Sequence, residues 1–244
     1  YFSYVEGRMP EHRPAAMLFG SAVHAAIARY YKGVLKKGKP EPLSLLQDLF
    51  HDYWNWQVED TVIPVAYKDG SDKDSMLAEG QGLVLTFYKN AEPMEVVGVE
   101  EPYSSVLYDE EGNPTDLKLI GMVDCIQRDN DGNLIIIENK TANRAYSKDK
   151  IEQDLQMTVY SYLLCANKLM PAKADTTHRF DVLLKLKKPR LDMCHTTRSA
   201  TDRKRLAKLI RKVLKGIEAG VFFPNPSWMC SDCQYAQACV KWSA

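Results

Sequence analysis

The chain has 244 residues, of which 45% are hydrophobic and 26% are charged, a composition typical of a soluble globular protein with a substantial core. It contains no apolar run of about 20 residues and no secretory signal, so we expect a cytoplasmic protein that does not enter membranes. Lysine plus arginine equals aspartate plus glutamate at 32 each, so any surface that binds a polyanion must be a local patch.

Helical patterns occupy the first part of the chain, up to about residue 93. Apolar residues recur at helical spacing over residues 18–37, and Gly38 follows a lysine-rich last turn as a helix stop. Further helices are predicted at about 44–58 and 75–90. The second helix is rich in aromatic residues, which we interpret as packing residues rather than as platforms for stacked bases.

A β-hairpin is predicted near the middle of the chain, after an earlier strand and a turn at 109–114. Residues 117–126 follow the pattern of one strand and residues 134–137 that of another. The turn residues 129–133 between them include Gly132, which can adopt a positive φ. The turn therefore centres near residue 131.

Two acidic residues lie equally far from the centre of this turn. Antiparallel pairing sets Asp124 opposite Glu138 on one face, with Cβ atoms about 5 Å apart, and the period of two adds Lys140 to that face. Two opposed carboxylates repel each other, and burial adds a desolvation cost. A divalent cation would supply the missing positive charge, and carboxylate oxygens suit Mg²⁺ or Mn²⁺. The hairpin thus predicts a metal-dependent active site, with Lys140 placed to act on an attacking water.

Two polar residues share a stripe of the next predicted helix, at about 148–169. Gln156 and Tyr160 are four residues apart, and they are either neighbours of the active site or a surface amide and a half-buried tyrosine.

Basic residues follow on and beside a predicted strand at 181–185, and again on a helix at about 200–216. Such a charge run is either a solvated face or a phosphate-binding surface.

Three cysteines near the end of the chain form a C-x2-C-x5-C motif, and they are Cys230, Cys233 and Cys239. Because disulfides are rare in cytosolic proteins, this spacing predicts a metal or cluster site. Tetrahedral zinc and a [4Fe-4S] cluster each need four ligands, and both assignments stay open. The other three cysteines are interpreted as buried or incidental thiols.

The ordered set of motifs resembles the PD-(D/E)XK nuclease superfamily, in particular its RecB-like exonuclease branch. The matching segments are FGSAVH at 19–24, GMVD at 121–124, ENKT at 138–141, and the pair Gln156 and Tyr160. Each pattern is weak alone, whereas their order and spacing make the combination specific. The resemblance implies a restriction-endonuclease-like α/β core, in which a mixed central sheet is flanked by helices, with a helical N-terminal part and a cysteine-bearing C-terminal tail.

The resemblance also implies roles for individual residues. The expected metal ligands are His24, Asp124, Glu138 and the carbonyl of Asn139. The expected catalytic residues are Asp124, Glu138 and Lys140. Gln156 and Tyr160 are expected to contact the active site or the substrate.

The cysteine tail resembles that of the iron–sulfur branch of RecB-like nucleases, which includes AddB-type enzymes. In that branch the tail is paired with a cysteine near the N-terminus, so the resemblance implies a fourth ligand upstream of Tyr1. A [4Fe-4S] cluster held in this way would join the two ends of the chain. Its role would be structural rather than redox.

We therefore predict a single nuclease domain over residues 1–244, composed of a helical part at 1–93, a catalytic sheet and helix at 94–192, and a basic helix with the tail at 193–244. It is expected to be a Mg²⁺- or Mn²⁺-dependent exonuclease acting on DNA ends or single strands, in repair or recombination. The sequence lacks the phosphate-binding loop of ATPases, so a helicase would be a separate partner. The alternatives are a non-catalytic DNA-binding or scaffold module of the same fold, and a zinc-binding interaction protein defined by its tail.

Overall fold

The computed structural model describes residues 1–68, 70–108 and 113–242, so the turn predicted at 109–114 lies mostly outside the described residues. The helices are α1 (Ala15–Lys37), α2 (Leu43–Glu59), α3 (Lys73–Asn90), α4 (Lys148–Gln153), α5 (Leu155–Ala166), α6 (Ala200–Glu218) and α7 (Ala236–Lys241), with a 3₁₀ helix at Trp228–Asp232. The strands are β1 (Arg13–Pro14), β2 (Val65–Ala66), β3 (Glu95–Tyr108), β4 (Pro114–Arg128), β5 (Leu134–Ala142), β6 (Thr176–Leu184) and β7 (Arg190–Arg198). The described residues contain no helix with the length and hydropathy of a membrane span.

The predicted N-terminal helices form a packed layer. Helix α1 ends where Gly38 adopts φ +70° and donates its N–H to the carbonyl of Val34 at 2.8 Å, a conformation that glycine reaches without a steric penalty. Phe19 of α1 packs edge-to-face against Phe50 and Trp54 of α2, with ring centroids 5.9 and 6.1 Å apart. The aromatic interpretation of α2 is therefore correct for these two buried rings.

A five-stranded mixed sheet lies behind this helical layer, in the order β3-β4-β5-β6-β7. The central strand β5 is antiparallel to β4 and parallel to β6, while the remaining pairs are antiparallel. Helices α4 and α5 form the crossover that joins the parallel strands. One apolar cluster packs α1 and α3 on one face of the sheet, and a second packs α5 on the other. These features confirm the predicted fold class.

The prediction of a single helix at 148–169 is wrong in one respect, because the helix is interrupted at Asp154. The side chain of Asp154 accepts the N–H of Met157 at 3.2 Å and so caps α5. At the break, the carbonyls of Ile151 and Asp154 accept hydrogen bonds from the buried guanidinium of Arg198 at 2.8 and 3.2 Å. Arg198 belongs to β7, a strand that the sequence did not predict.

One member of the basic run on α6 is structural. The guanidinium of Arg203 is buried and donates to the carbonyls of Ala172 and Ala174 at 2.8 Å each and to the hydroxyl of Ser161 at 2.9 Å. A buried guanidinium needs such partners, because leaving its donors unpaired would cost free energy. The side chain of Arg203 therefore contributes neither to a solvated surface nor to a phosphate-binding surface.

The packing of α3 on α2 depends on a glycine. A Cβ atom at Gly80 would lie 1.9 Å from Cζ of the fully buried Phe50, so Gly80→Ala forces an overpacked contact. We expect it to lower the free energy of unfolding by about 1–3 kcal/mol, measured by urea unfolding. Gly82→Ala is the control, since a Cβ there meets nothing within 4 Å and alanine in a helix should raise stability by about 0.5–1 kcal/mol. Equal effects of the two variants would contradict this account.

Candidate active site

The predicted hairpin forms with the predicted register. Pairing of β4 with β5 runs from Arg128 opposite Leu134 to Cys125 opposite Ile137. Gly132 closes the turn at φ +87°, and the turn's backbone N–H groups are held by the side chain of an aspartate at its start. The pairing stops one residue short of Asp124 and Glu138, which occupy the next position of the same register.

Asp124 lies between the sheet and α1. Its Oδ2 accepts the backbone N–H of Asn139 at 2.8 Å, and Nδ1 of His24 lies 3.4 Å away. The pKa of Asp124 is raised from 3.8 to about 6, mainly by burial and in addition by the nearby charges of Glu138 and Glu100, while His24 and the Asn139 N–H act in the opposite direction. Asp124 is thus an acid held in a site that disfavours its charge.

Glu138 belongs to a second hydrogen-bonded group, which links β5 to α5. Its buried carboxylate contacts the ammonium of Lys140 at 2.5 Å and the hydroxyl of Tyr160 at 3.0 Å. Burial raises the pKa of Tyr160, so this hydroxyl stays protonated and donates its single proton to Glu138 or to the carbonyl of Met122 at 2.8 Å. Gln156 donates to the Tyr160 hydroxyl at 2.7 Å and accepts from Lys140 at 3.0 Å, which fixes the orientation of its amide.

The strand alternation that placed both carboxylates on one face is interrupted at Asp124. Val123 packs in the cluster under α5, whereas Cys125, two residues later, packs in the cluster under α1. On the neighbouring strand β3, Glu100 occupies the position opposite Asp124 and has φ +55°, in the left-handed region. Asp124 consequently meets α1, whereas Glu138 meets α5, and the two charges still interact through space.

An open cleft of about 890 Å³ connects Asp124, Glu100 and Lys140 to solvent. One wall is α1 with part of α2, and the other is formed by β3, β4 and β5. The polar residues of its lining that concern the site are His24, Glu100, Asp124, Lys140 and Thr141. Glu100 was missed by the sequence analysis, and the only sequence signal for it was its position in the strand next to the Asp124 strand.

The donor groups around Asp124 suit a hard divalent cation. Asp124 supplies a carboxylate whose charge is disfavoured in the protein alone, and the side-chain oxygen of Asn139 is buried without a hydrogen-bond partner. Carboxylate, carbonyl and imidazole donors together suit Mg²⁺ or Mn²⁺. In the described part of the chain, however, no three His, Cys, Asp or Glu side chains are grouped closely enough to hold an ion as they stand.

The comparisons with known proteins identify the family. A family model of the PD-(D/E)XK nuclease superfamily matches residues 1–240. The chain belongs to the PD-(D/E)XK nuclease superfamily. No match was found among curated proteins. Similar solved structures include a candidate exonuclease from Eubacterium rectale, with 12% identity, a TM-score of 0.49 and coverage of 96% of this chain and 79% of that one. Another is SSO0001, with 15% identity, a TM-score of 0.43 and coverage of 97% and 89%.

The residues that the sequence analysis assigned to the site lie in two adjoining groups. Of the residues predicted from the sequence, His24, Asp124 and Asn139 lie together, and Glu138, Lys140, Gln156 and Tyr160 form the adjoining group. Tyr160 is only 4% exposed, so its hydroxyl faces the site rather than solvent. Direct contact of Gln156 and Tyr160 with substrate stays a prediction.

The cysteine tail lies next to the first residues of the chain. The ring of Tyr1 lies 5.0 Å from that of Phe222 and 5.9 Å from that of Trp242, and the backbone N–H of Glu11 donates to the carbonyl of Gln234 at 2.9 Å. The tail cysteines, Cys230, Cys233 and Cys239, are free thiols. In the described part of the chain, these cysteines do not belong to a group of three His, Cys, Asp or Glu side chains that could hold a metal ion as they stand.

Asp124→Asn is expected to stabilise the metal-free protein at neutral pH. Because folding raises the pKa of Asp124 to about 6, its contribution to stability is greatest below about pH 4 and is lost as the pH rises through 6. An amide carries no such penalty. In EDTA, the variant's free energy of unfolding should exceed that of the wild type by up to about 3 kcal/mol above pH 6, and by little near pH 4, as measured by urea unfolding at both pH values.

The matched control for this measurement is Asp116→Asn, at an exposed position of the same strand β4. It should change stability by less than about 0.5 kcal/mol at either pH. A gain for Asp124→Asn that is independent of pH would show that the carboxyl group does not have the raised pKa.

Proposed function

We propose that this protein is a Mg²⁺- or Mn²⁺-dependent deoxyribonuclease that hydrolyses phosphodiester bonds as an exonuclease. The observation that carries the proposal is the meeting of two groups at one open cleft, the Asp124–His24 pair and the hydrogen-bonded set of Glu138 and Lys140. Membership in the superfamily supports nuclease activity and DNA as the substrate. Exonucleolytic cleavage, a role in repair or recombination, and a separate helicase partner rest on the RecB-like motif set.

The proposed metal ligands are Asp124, Glu138, His24 and the carbonyl of Asn139. A divalent ion bound there would neutralise the opposed carboxylates, polarise the scissile phosphate and lower the pKa of a bound water. Asp124 and Asn139 are already joined by a hydrogen bond at 2.8 Å, which fixes the carboxylate relative to β5. Glu100, which belongs to β3, adds a further carboxylate to the cleft wall.

Lys140 is proposed to act on the attacking water and on charge that develops at the phosphate. Its ammonium is held by Glu138 and Gln156, yet it also lines the cleft. Preorganised cationic donors of this kind stabilise a transition state because they do not have to reorient during the reaction. Tyr160 and Gln156 are proposed as positioning residues, since each reaches the site through Glu138 or Lys140.

Lys140→Ala is expected to abolish cleavage while leaving metal binding largely intact. The loss of a group that acts on the nucleophile should lower the rate of hydrolysis at least about 100-fold. The assay is digestion of end-labelled single- and double-stranded DNA with Mg²⁺, Mn²⁺ or EDTA, and calorimetric titration with Mn²⁺ measures the metal affinity.

Lys148→Ala is the control for this assay, because Lys148 is a lysine with a side chain 84% exposed, on α4. It should cleave like the wild type. Retained cleavage by Lys140→Ala would remove Lys140 from the mechanism. Absence of hydrolysis by the wild type with either metal would instead favour the non-catalytic DNA-binding module.

We also propose that the tail cysteines bind a [4Fe-4S] cluster that stabilises the junction of the chain ends. Support comes from their spacing and from the contacts between the tail and residues 1–11. Three thiolates leave a cluster one ligand short, so a fourth ligand would come from outside the motif. The role would be structural, because the described contacts of this region join the two ends of the chain to each other.

Metal analysis of anaerobically purified full-length protein tests this assignment. The wild type should contain iron and acid-labile sulfide, and Cys233→Ser should lose both and unfold at a lower temperature. Cys194→Ser, on β7, should retain them. Stoichiometric zinc without iron would contradict the cluster and favour a zinc-binding tail.

A further inference from the structure

The cleft extends beyond the proposed metal site toward the C-terminal half of α1. Its lining there consists of Arg29 and Lys32 from α1 and of Leu49 and Tyr53 from the facing side of α2. Lys32 is eight residues after His24, so it lies about 12 Å further along the helix axis. A nucleic acid strand that reaches the site along α1 would pass these residues a few nucleotides from the scissile phosphate.

The two cations at this end differ in their partners. Arg29 donates to Glu41 at 2.9 Å, and the same carboxylate also accepts from Lys37 at 2.9 Å. The single negative charge of Glu41 therefore neutralises at most one of the two side chains Arg29 and Lys37. Lys32 forms no ion pair within the described residues. The far end of the cleft thus carries net positive charge, in contrast to the carboxylates at its other end.

Tyr53 places an aromatic ring beside these cations. The sequence interpretation of the α2 aromatics as packing residues is correct for the buried Phe50 and Trp54, and also for Tyr53, which is partly buried against the core. Tyr53 is half-buried and lines the cleft. Its ring lies 5.4 Å from that of Trp56, which is 54% exposed. The ring therefore contacts both Trp56 and the core, and it also forms part of the cleft wall.

We propose that this end of the cleft is a subsite for single-stranded nucleic acid, in which a base stacks on Tyr53 and the adjoining phosphate is held by Lys32 and Arg29. This inference rests on the proposed nuclease function and defines its substrate class. An aromatic ring beside cations is the arrangement that binds single strands without regard to sequence. A base inside a duplex is covered on both faces by its stacked neighbours and cannot present a face to Tyr53, so the subsite selects unpaired strands.

Equilibrium binding tests the subsite without requiring cleavage. Fluorescence anisotropy with a labelled single-stranded oligonucleotide in EDTA should show that Tyr53→Ala weakens binding between about 5- and 100-fold. Tyr53→Phe, which keeps the ring, should bind like the wild type. Lys32→Ala should weaken binding and reduce its dependence on salt concentration by about one counterion. The affinity for a blunt duplex should fall much less in Tyr53→Ala than the affinity for the single strand.

Lys36→Ala is the matched control, because Lys36 is an exposed lysine of the same helix that does not line the cleft. It should leave single-strand affinity unchanged. Thermal unfolding of each variant separates lost binding from lost folding, and Tyr53→Phe provides a folded comparison at the same position. Unchanged single-strand affinity in a folded Tyr53→Ala, or an equal loss for duplex and single strand, would overturn the proposal.

Cleavage provides an independent readout. The ratio of kcat/KM on a single-stranded oligonucleotide to that on a short chromogenic phosphodiester should fall in Tyr53→Ala and Lys32→Ala, since the short diester cannot reach the subsite. An unchanged ratio would contradict the subsite while leaving the nuclease function standing. A wild type that binds single strands through Tyr53 but cleaves neither substrate would contradict the nuclease function alone.

Discussion

The repulsion between the half-buried carboxylate of Asp124 and the buried carboxylate of Glu138 is the constraint on which the arrangement of the site depends. Two like charges removed from water destabilise the fold unless each has partners. The structure separates the partners: Asp124 receives the backbone N–H of Asn139 and faces His24, whereas Glu138 receives Lys140 and the Tyr160 hydroxyl. The remaining penalty appears as the raised pKa of Asp124, and a cation would relieve it.

This division explains why helices are needed on both faces of the sheet. Helix α1 brings His24 to one side of the hairpin, and α5 brings Gln156 and Tyr160 to the other. The start of α5 is in turn fixed by Arg198, which binds the carbonyls freed at the break between α4 and α5. Buried polar groups of this kind are costly if a partner is removed, so they hold the side chains of the site in a defined position.

The cleft combines two electrostatic regions along one helix. Its carboxylate end, around Asp124, suits a cation and a water, whereas its other end presents Lys32, Arg29 and the ring of Tyr53. Charge balance over the entire sequence concealed this separation, because equal numbers of acidic and basic residues can still be arranged as local patches.

Residue patterns alone predicted the hairpin, its register and the position of Asp124 opposite Glu138, because turn chemistry and strand alternation act over short distances along the chain. Those patterns did not predict the interruption of alternation at Asp124 or the position of Glu100 in the cleft wall. They also did not predict the helix cap at Asp154 and its contact with Arg198. Those features depend on contacts between segments far apart in sequence, such as α1 with β4 and β7 with the α4–α5 junction. They become visible only in the folded chain, since no local periodicity encodes which distant segment supplies a hydrogen-bond partner.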